Sequence, residues 1–358
     1  MKHQNRFLIK PRILPKRFDK HTDIKSLVAY YRSSGAYNGG RLAEACAIYE
    51  NMLNHNTTIC LTLAGAMIPT GLGGPIISLM EAGFIDFIIS TGANLYHDIH
   101  FALDLPVHQG DFRVDDKELL KENVVRIYDI FITNDLLLKT DKFIQNAVKE
   151  LKADNPISTA QLHNFLGKVL LKRVKHPEYS VLAMAAKYDV PIYTSSPGDS
   201  SIGMNLAYLK MLGNKLIIDS DLDILETSAI VLASEKNGAI ELGGGSPKNF
   251  YMQTQPTLSQ IMFIDKGGHD YFIQITTDAP HWGGLSGATP NEAVSWGKIN
   301  PTELKKGVVV YCDATIAAPI LFSYILAKKE RKLLKKLYQK REEFIANLKK
   351  KYKNANPK

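Results

Sequence analysis

The stretch 276–300, TTDAPHWGGLSGATPNEAVSWGKIN, concentrates side chains that can do chemistry. It holds His281, Glu292, Lys298, both tryptophans of the chain (Trp282 and Trp296) and several glycines. Such a mixture makes a poor core and a poor linker. A lysine flanked by Trp296, Gly297 and Ile299 is open to partial desolvation, which lowers the ammonium pKa and frees the amine to attack carbonyl or imine carbon. The bland alternative is an exposed solubility lysine. A second constellation is Gly243-Gly244-Gly245, directly after the apolar run AIEL at 239–242. Three glycines let the backbone approach a ligand and reach positive φ. Ser246 and Pro247 then read as the N-cap and first residue of a helix whose free N–H groups could meet a pyrophosphate. A plain tight turn is the alternative. No GxGxxG fingerprint stands at a strand-to-helix turn, which disfavours an ordinary Rossmann dehydrogenase. Asp199, in the turn SSPGDSS, could hold ribose hydroxyls or a cation, or serve as an Asx cap. Asp313 follows an apolar run and is either a ligand contact or a helix N-cap.

The elements that must position these groups read as alternating strands and helices, hence an α/β fold: a doubly wound, mostly parallel, Rossmann-like sheet with helices on both faces. Short apolar runs at 57–64, 84–90, 190–194, 215–219, 239–242, 271–276 and 308–312 have the character of parallel strands buried on both sides. Helical sequence is expected at 73–81, 177–187, 202–212 and 222–234. Residues 112–175 interrupt the rhythm and read as mainly helical, with a possible strand at 126–132. Residues 314–352 should form a long helix or a helix pair, striped by Leu326, Leu333, Leu337, Phe344 and Leu348. That extension packs on its own domain or meets another subunit. The expected division is a single catalytic domain over 1–327 and a basic helical tail over 328–358. In such sheets chemistry collects at the carboxyl ends of the strands, where the glycine turn, Thr91 and Asp199 all fall.

The 358 residues, 45% hydrophobic and 22% charged, suffice for a large buried core. No apolar run is long enough for a membrane span, and the basic N-terminus lacks the apolar core of a secretory signal, so a cytoplasmic location is expected. Cys46, Cys60 and Cys312 are scattered, giving neither a disulfide framework nor a zinc pattern, and no metal is expected. The net charge is +8, yet both ends are strongly basic and the body between them is acidic. An acidic body suits a cationic substrate. The basic ends read as solvated faces, and no nucleic-acid partner is expected from them; such binding would be steeply salt-dependent.

Ser286-Gly287-Ala288 followed by EAVSWGKI at 292–299 closely resembles the active-site segment of deoxyhypusine synthases. The resemblance runs from about residue 40 to residue 324 and includes His176-Pro177-Glu178-Tyr179-Ser180, Asp199-Ser200-Ser201, Leu242 with the glycine turn, and Asp313-Ala314. It implies an enzyme that binds NAD and a polyamine and moves an aminobutyl group through a lysine imine. Lys298 would be the imine-forming nucleophile. Trp296 would flank the polyamine and Glu292 would bind one of its ammonium groups. NAD would be lined by Gly243, Gly244, Gly245, Asp199, Thr91, Thr277, Gly283, Ser286, Asp313 and Ala314. The family implies a homotetramer with sites at dimer interfaces.

The departures fall around the amine. Members that act on the translation factor usually carry Asp where this chain has Met204, His where it has Asn249, Asp where it has Leu285, and an acidic pair where it has Tyr96 and His97. A hydrogen bond to a charged group contributes roughly 1.5–3 kcal/mol, so these losses change how a cation is held. The pattern resembles the divergent, mostly bacterial, deoxyhypusine synthase-like branch. It points to aminobutyl transfer between polyamines, homospermidine synthase-like, with His97 and His281 either replacing lost contacts or purely structural. The alternatives are modification of a protein lysine, as in deoxyhypusine synthase itself, and a non-catalytic NAD- or polyamine-binding protein.

Overall fold

A computed structural model describes residues 8–356 of the chain. Among the described residues nine strands occur in order: β1 (Thr58–Leu63), β2 (Phe87–Ser90), β3 (His108–Gln109), β4 (Val124–Ile127), β5 (Ile130–Thr133), β6 (Ile192–Thr194), β7 (Asn237–Leu242), β8 (Tyr271–Thr276) and β9 (Gly307–Tyr311). Six of them form one parallel sheet in the order β6-β2-β1-β7-β8-β9. The chain leaves β1 toward β2 and β6, then returns to the other side of β1 for β7, β8 and β9. The switch point of the winding therefore lies between β1 and β7, where a crevice opens at the strand ends. Every residue of β1, β7 and β8 is buried. One sheet face presents Leu61, Leu63, Ile240, Leu242, Ile273 and Ile275 to a large core that includes helix Tyr37–Asn54. The other presents Cys60, Ala239 and Phe272 to a second core with Tyr251, Leu258 and Ile299. Alternation along each strand sorts the two sets.

Most expected elements form within a residue or two, but three readings are corrected. The run 215–219 is no strand; it makes one isolated parallel bridge, Ile157 with Ile218. The possible strand 126–132 is a hairpin, β4 and β5, turning through Tyr128 at φ 54. It joins β3 in a small antiparallel sheet. Apolar residues lie on both sides of that turn, so composition alone shows one run. The helix after the glycine turn spans Gly245–Met252 with Gly244, not Ser246, at its cap. The C-terminal stretch takes the second of its two expected forms, a helix pair, Ala314–Lys328 and Arg341–Ala355. Leu337 and Leu348 of its stripe are buried against the second core, while Leu333 is fully exposed between the two helices. No helix among the described residues is long and apolar enough to cross a membrane.

Buried polar side chains lock the layers. Asp98, fully buried, accepts from Ser180 Oγ (2.6 Å), Val181 N (2.7 Å) and Leu182 N (2.9 Å) at the start of helix Val181–Tyr188. His163 in helix Thr159–Arg173 donates from Nδ1 to the Ile192 carbonyl of β6 at 2.8 Å. Burial pushes its pKa down from 6.5 to about 4. Its folded pKa lies below its unfolded one, so its contribution is complete above about pH 6.5 and is lost as pH falls through about 4, on the order of 3 kcal/mol in all. Chemical denaturation at stepped pH should show stability falling across that window. His163→Gln should flatten the acid limb by a comparable amount.

Candidate functional site

The lysine singled out by the sequence is placed by a helix terminus. Thr289 caps helix Pro290–Ser295, its Oγ1 accepting from Glu292 N. The helix then closes through Gly297 at φ 66, with Gly297 N donating to Val294 O and Lys298 N to Ala293 O, both 2.9 Å. This is a Schellman closure, which needs a residue comfortable at positive φ. Beyond it, the Lys298 carbonyl accepts from His269 N at 2.9 Å and Ile299 bridges His269 in parallel. The main chain of Lys298 is thus held on both sides.

Its side chain enters a pocket of about 460 Å³ whose walls include Met252, Pro256, Ile261, Phe272 and Ala293. Lys298 Nζ donates to Asn249 Oδ1 at 3.0 Å and lies 5.6 Å from the Trp296 ring centre. Burial lowers the ammonium pKa, opposed by the negative charges of Glu292 and Glu241. Glu292, Trp296, Asn249 and Leu285 line the same pocket. Met204, on helix Ser201–Met211, is exposed and does not line it. His97 does not line it either. It shares a 3.0 Å hydrogen bond with His100, and burial pushes its pKa down to about 4. His281 is exposed beside Trp282.

The glycine turn is joined to this pocket. Gly243 and Gly245 have φ of 74° and 56°. A Cβ on Gly244 would lie 2.4 Å from Ser286 Cα, so only glycine admits the 285–287 turn there. Gly245 N donates to Ser286 Oγ at 2.9 Å. Thr91 caps helix Gly92–Ala102 at the end of β2 and donates to Gly65 O at 2.6 Å. A Cβ on Gly92 would collide with Ser200, which brings the Asp199 turn alongside. Asp199 itself is exposed. Thr277 and Gly283 are exposed after β8. Asp313 after β9 accepts from Thr315 N, the cap role left open above, with Ala314 opening the helix. These residues share the carboxyl edge of the parallel sheet. A Cβ at Gly65, Gly245, Gly283 or Gly284 would meet nothing within 4 Å. Bare backbone therefore faces open space beside the switch point, a surface that fits an extended dinucleotide.

Three groups were missed from the sequence. Lys248 is nearly inaccessible, and its Nζ donates to Gln274 Oε1 (2.9 Å) and Ala288 O (2.8 Å). Burial lowers its pKa, opposed by Glu241. Gln274 donates from Nε2 to Gly243 O (2.9 Å) and Ser286 O (2.7 Å). Glu241 is fully buried with neither carboxylate oxygen hydrogen-bonded, and burial pushes its pKa up to about 8. A signal was present: AIEL and YFIQIT each carry one polar residue inside an otherwise apolar buried strand.

If the Gly297 turn aims Lys298, Gly297→Ala should cost about 1–2 kcal/mol of stability from left-handed strain. It should also slow aldehyde modification of Lys298, read by peptide mass mapping. Unchanged stability and labelling would mean the turn is not needed.

Comparison with known proteins identifies the family and the fold. The family model for deoxyhypusine synthase matches residues 26–325. A deoxyhypusine synthase-like protein of Nostoc punctiforme is 44% identical, the alignment covering 95% of this chain and 89% of that protein. One from Thermosynechococcus vestitus is 46% identical over 89% of this chain and 83% of its own length. Among solved structures, one described as a deoxyhypusine synthase from Entamoeba histolytica superposes with a TM-score of 0.60 at 19% identity, covering 90% of this chain and 99% of that one, which speaks to the fold. Its sequence over most of its length places this chain in the deoxyhypusine synthase family.

Proposed function

We propose that the protein is an NAD-dependent transferase that moves an aminobutyl group from a polyamine, through an imine on Lys298, to a small amine acceptor. The observation that carries this reading is a part-buried lysine of depressed pKa in an apolar pocket that is hydrogen-bonded, through Lys248 and Ser286, to an open glycine turn at the sheet's switch point. Family membership supports a transferase of this class. NAD, when bound, would accept a hydride from the carbon beside the polyamine's secondary amine and later return it. Gly243, Gly244, Gly245, Ser286, Thr91, Asp199, Thr277, Gly283, Asp313 and Ala314 would hold it along the strand ends.

The chain's own groups do the rest. Lys298, in its neutral form, attacks the electron-poor carbon, and 1,3-diaminopropane leaves. Asn249 Oδ1 orients the lysine nitrogen. Glu292 pairs with a substrate ammonium and Trp296 covers the methylene chain, as the resemblance implies. The pocket walls keep water from hydrolysing the imine. Leu285 and Asn249, both at the pocket, supply no negative charge for a second ammonium. The pattern of substitutions resembles the divergent branch of the family, and on that resemblance the acceptor is read as a small amine such as putrescine rather than a protein lysine. The same reading assigns the enzyme to the cytoplasm as a homotetramer, in which Met204 and His97 would serve a neighbouring subunit's site.

Incubating the pure protein with NAD, spermidine and putrescine should yield homospermidine and 1,3-diaminopropane. Lys298→Ala should reduce turnover on the order of 10³-fold or more. Borohydride should trap a butylamine adduct on Lys298 of the wild type. No adduct with any polyamine would overturn the reading, and product only on an added protein acceptor would replace the small amine by a protein lysine.

A further inference from the structure

The wall of the Lys298 pocket carries amides to which the reaction described so far gives no task. Helix Gly245–Met252 continues through Thr254–Pro256 into a wide turn, Thr257–Ile261. Gln253 N donates to Asn249 O and Thr257 N to Gln253 O, both at 2.9 Å, so Asn249, Gln253 and Thr257 stand on successive turns of one face. Met262 N then reaches back five residues to Thr257 O, at 3.0 Å. A π-turn of this kind is frequent at functional sites. Here it leaves Leu258 fully buried, while Gln260 and Ile261 join Asn249, Gln253 and Thr257 in lining the pocket.

The glutamines of this segment divide by use. Gln255 is buried, and its amide is engaged by Gly268 N at 3.3 Å and His269 Nδ1 at 3.5 Å. Gln253 and Gln260 are exposed, and among the described residues neither side-chain amide has a hydrogen-bond partner. An exposed glutamine is ordinarily only solvated. These two, however, face a cavity that also holds Glu292, Trp296 and Lys298. Helical side chains lean toward the N-terminus of their helix. In this helix that direction is toward Asn249, whose Oδ1 accepts from Lys298 Nζ. Along the axis Gln253 lies about 6 Å beyond Asn249 and Thr257 about 12 Å beyond it.

A polyamine brings at least two ammonium groups, and Glu292 is the one carboxylate among the residues that line the pocket. Beside Lys298 a second ammonium would meet the charges of Lys248 and Lys298. Farther along the helix it meets neutral acceptors instead. We propose that Gln253 and Gln260 are specificity-determining residues of a second ammonium subsite, their amide oxygens accepting from the end of the amine that Glu292 does not pair. Counted from the carbon that Lys298 attacks, the departing arm of spermidine has five bonds to its terminal nitrogen. At about 1.5 Å each they extend at most about 7.5 Å, which ends at the level of Gln253. Longer arms pass on toward Thr257 and Gln260. Neutral oxygens hold an ammonium less firmly than a carboxylate does. An amine bound there can leave and be replaced without separating opposite charges, as a transferase that releases one diamine and admits another requires.

The role given to this subsite rests on the transferase reading, so its test reads binding rather than turnover. Trp282 is exposed and outside the pocket, and Trp282→Phe leaves Trp296, on the pocket wall, as the single tryptophan. In that background, without NAD, Trp296 fluorescence is titrated with butylamine and with straight-chain diamines of four to ten carbons. The diamines should bind more tightly than the monoamine. Gln253→Leu combined with Gln260→Leu should weaken the diamines about tenfold and leave butylamine unchanged. Glu292→Gln should weaken both. Gln260→Glu should tighten the longer diamines and make their binding more sensitive to salt. Both glutamines are exposed, so these variants should keep the wild-type melting temperature. A diamine-to-monoamine ratio that the glutamine variants leave unmoved would overturn the subsite, even where borohydride traps an adduct on Lys298. A ratio that they abolish, in a protein that forms no adduct with any polyamine, would uphold the subsite and sink the transferase reading instead.

Discussion

The Lys248 ammonium, removed from water and shared between Gln274 and the Ala288 carbonyl, is the contact on which the site depends. The loop from Asp278 to Thr289 carries Trp282 and Leu285 on its exposed side and packs few large side chains inward. Its attachment to the sheet is polar: Gln274 Nε2 and Gly245 N bind Ser286, and Lys248 binds Ala288. A buried ammonium that loses its acceptors costs several kcal/mol, so the loop is either held at these points or the lysine is expelled. Helix Pro290–Ser295 and Lys298 follow directly from that loop. The position of Lys298 is therefore referred to strand β8 and to the glycine turn rather than to a surface loop.

The same network explains how the glycine turn and the segment that carries Lys298 come to be tied together. Parallel strands deliver their carboxyl ends to one edge, and the winding order separates the segments after β1 and β7 at the switch point. Gly244 must be glycine because Ser286 lies against it, and that approach brings the loop after β8 onto the turn after β7. Two neighbouring strands thus contribute the two halves of the site, one through bare backbone and one through side chains.

Electrostatically the pocket carries little of the negative charge that a polycation requires. The carboxylate that lines it is Glu292, beside two lysines, Lys248 and Lys298. One ammonium can be paired at the rim; the remainder of a substrate meets Met252, Phe272, Ala293 and Leu285. Such a wall discriminates by length and by the number of charges that must be stripped of water.

Much of this could be read along the chain, because local rules govern it. The run SWGK contains its own helix stop, since a glycine at the left-handed position closes the helix and sets Lys298 one residue beyond. The runs that became β1, β7 and β8 were legible because strands buried on both faces need continuous apolar residues. The family could be recognised from the same segments. What the tertiary structure alone decided was which residues meet. Glu241, Gln274 and Thr62 are far apart in sequence, and parallel pairing put them side by side. Lys248 looked like any helix lysine until the loop after β8 closed over it. His97 and Met204, paired with the amine site by resemblance, lie away from the pocket of their own chain, since helices Gly92–Ala102 and Ser201–Met211 follow strands on the opposite side of the switch point. The hairpin at Tyr128 and the loss of a strand at 215–219 have the same origin. Apolar composition states that a segment is to be buried, whereas ladder partners, available only after folding, decide whether it becomes a strand.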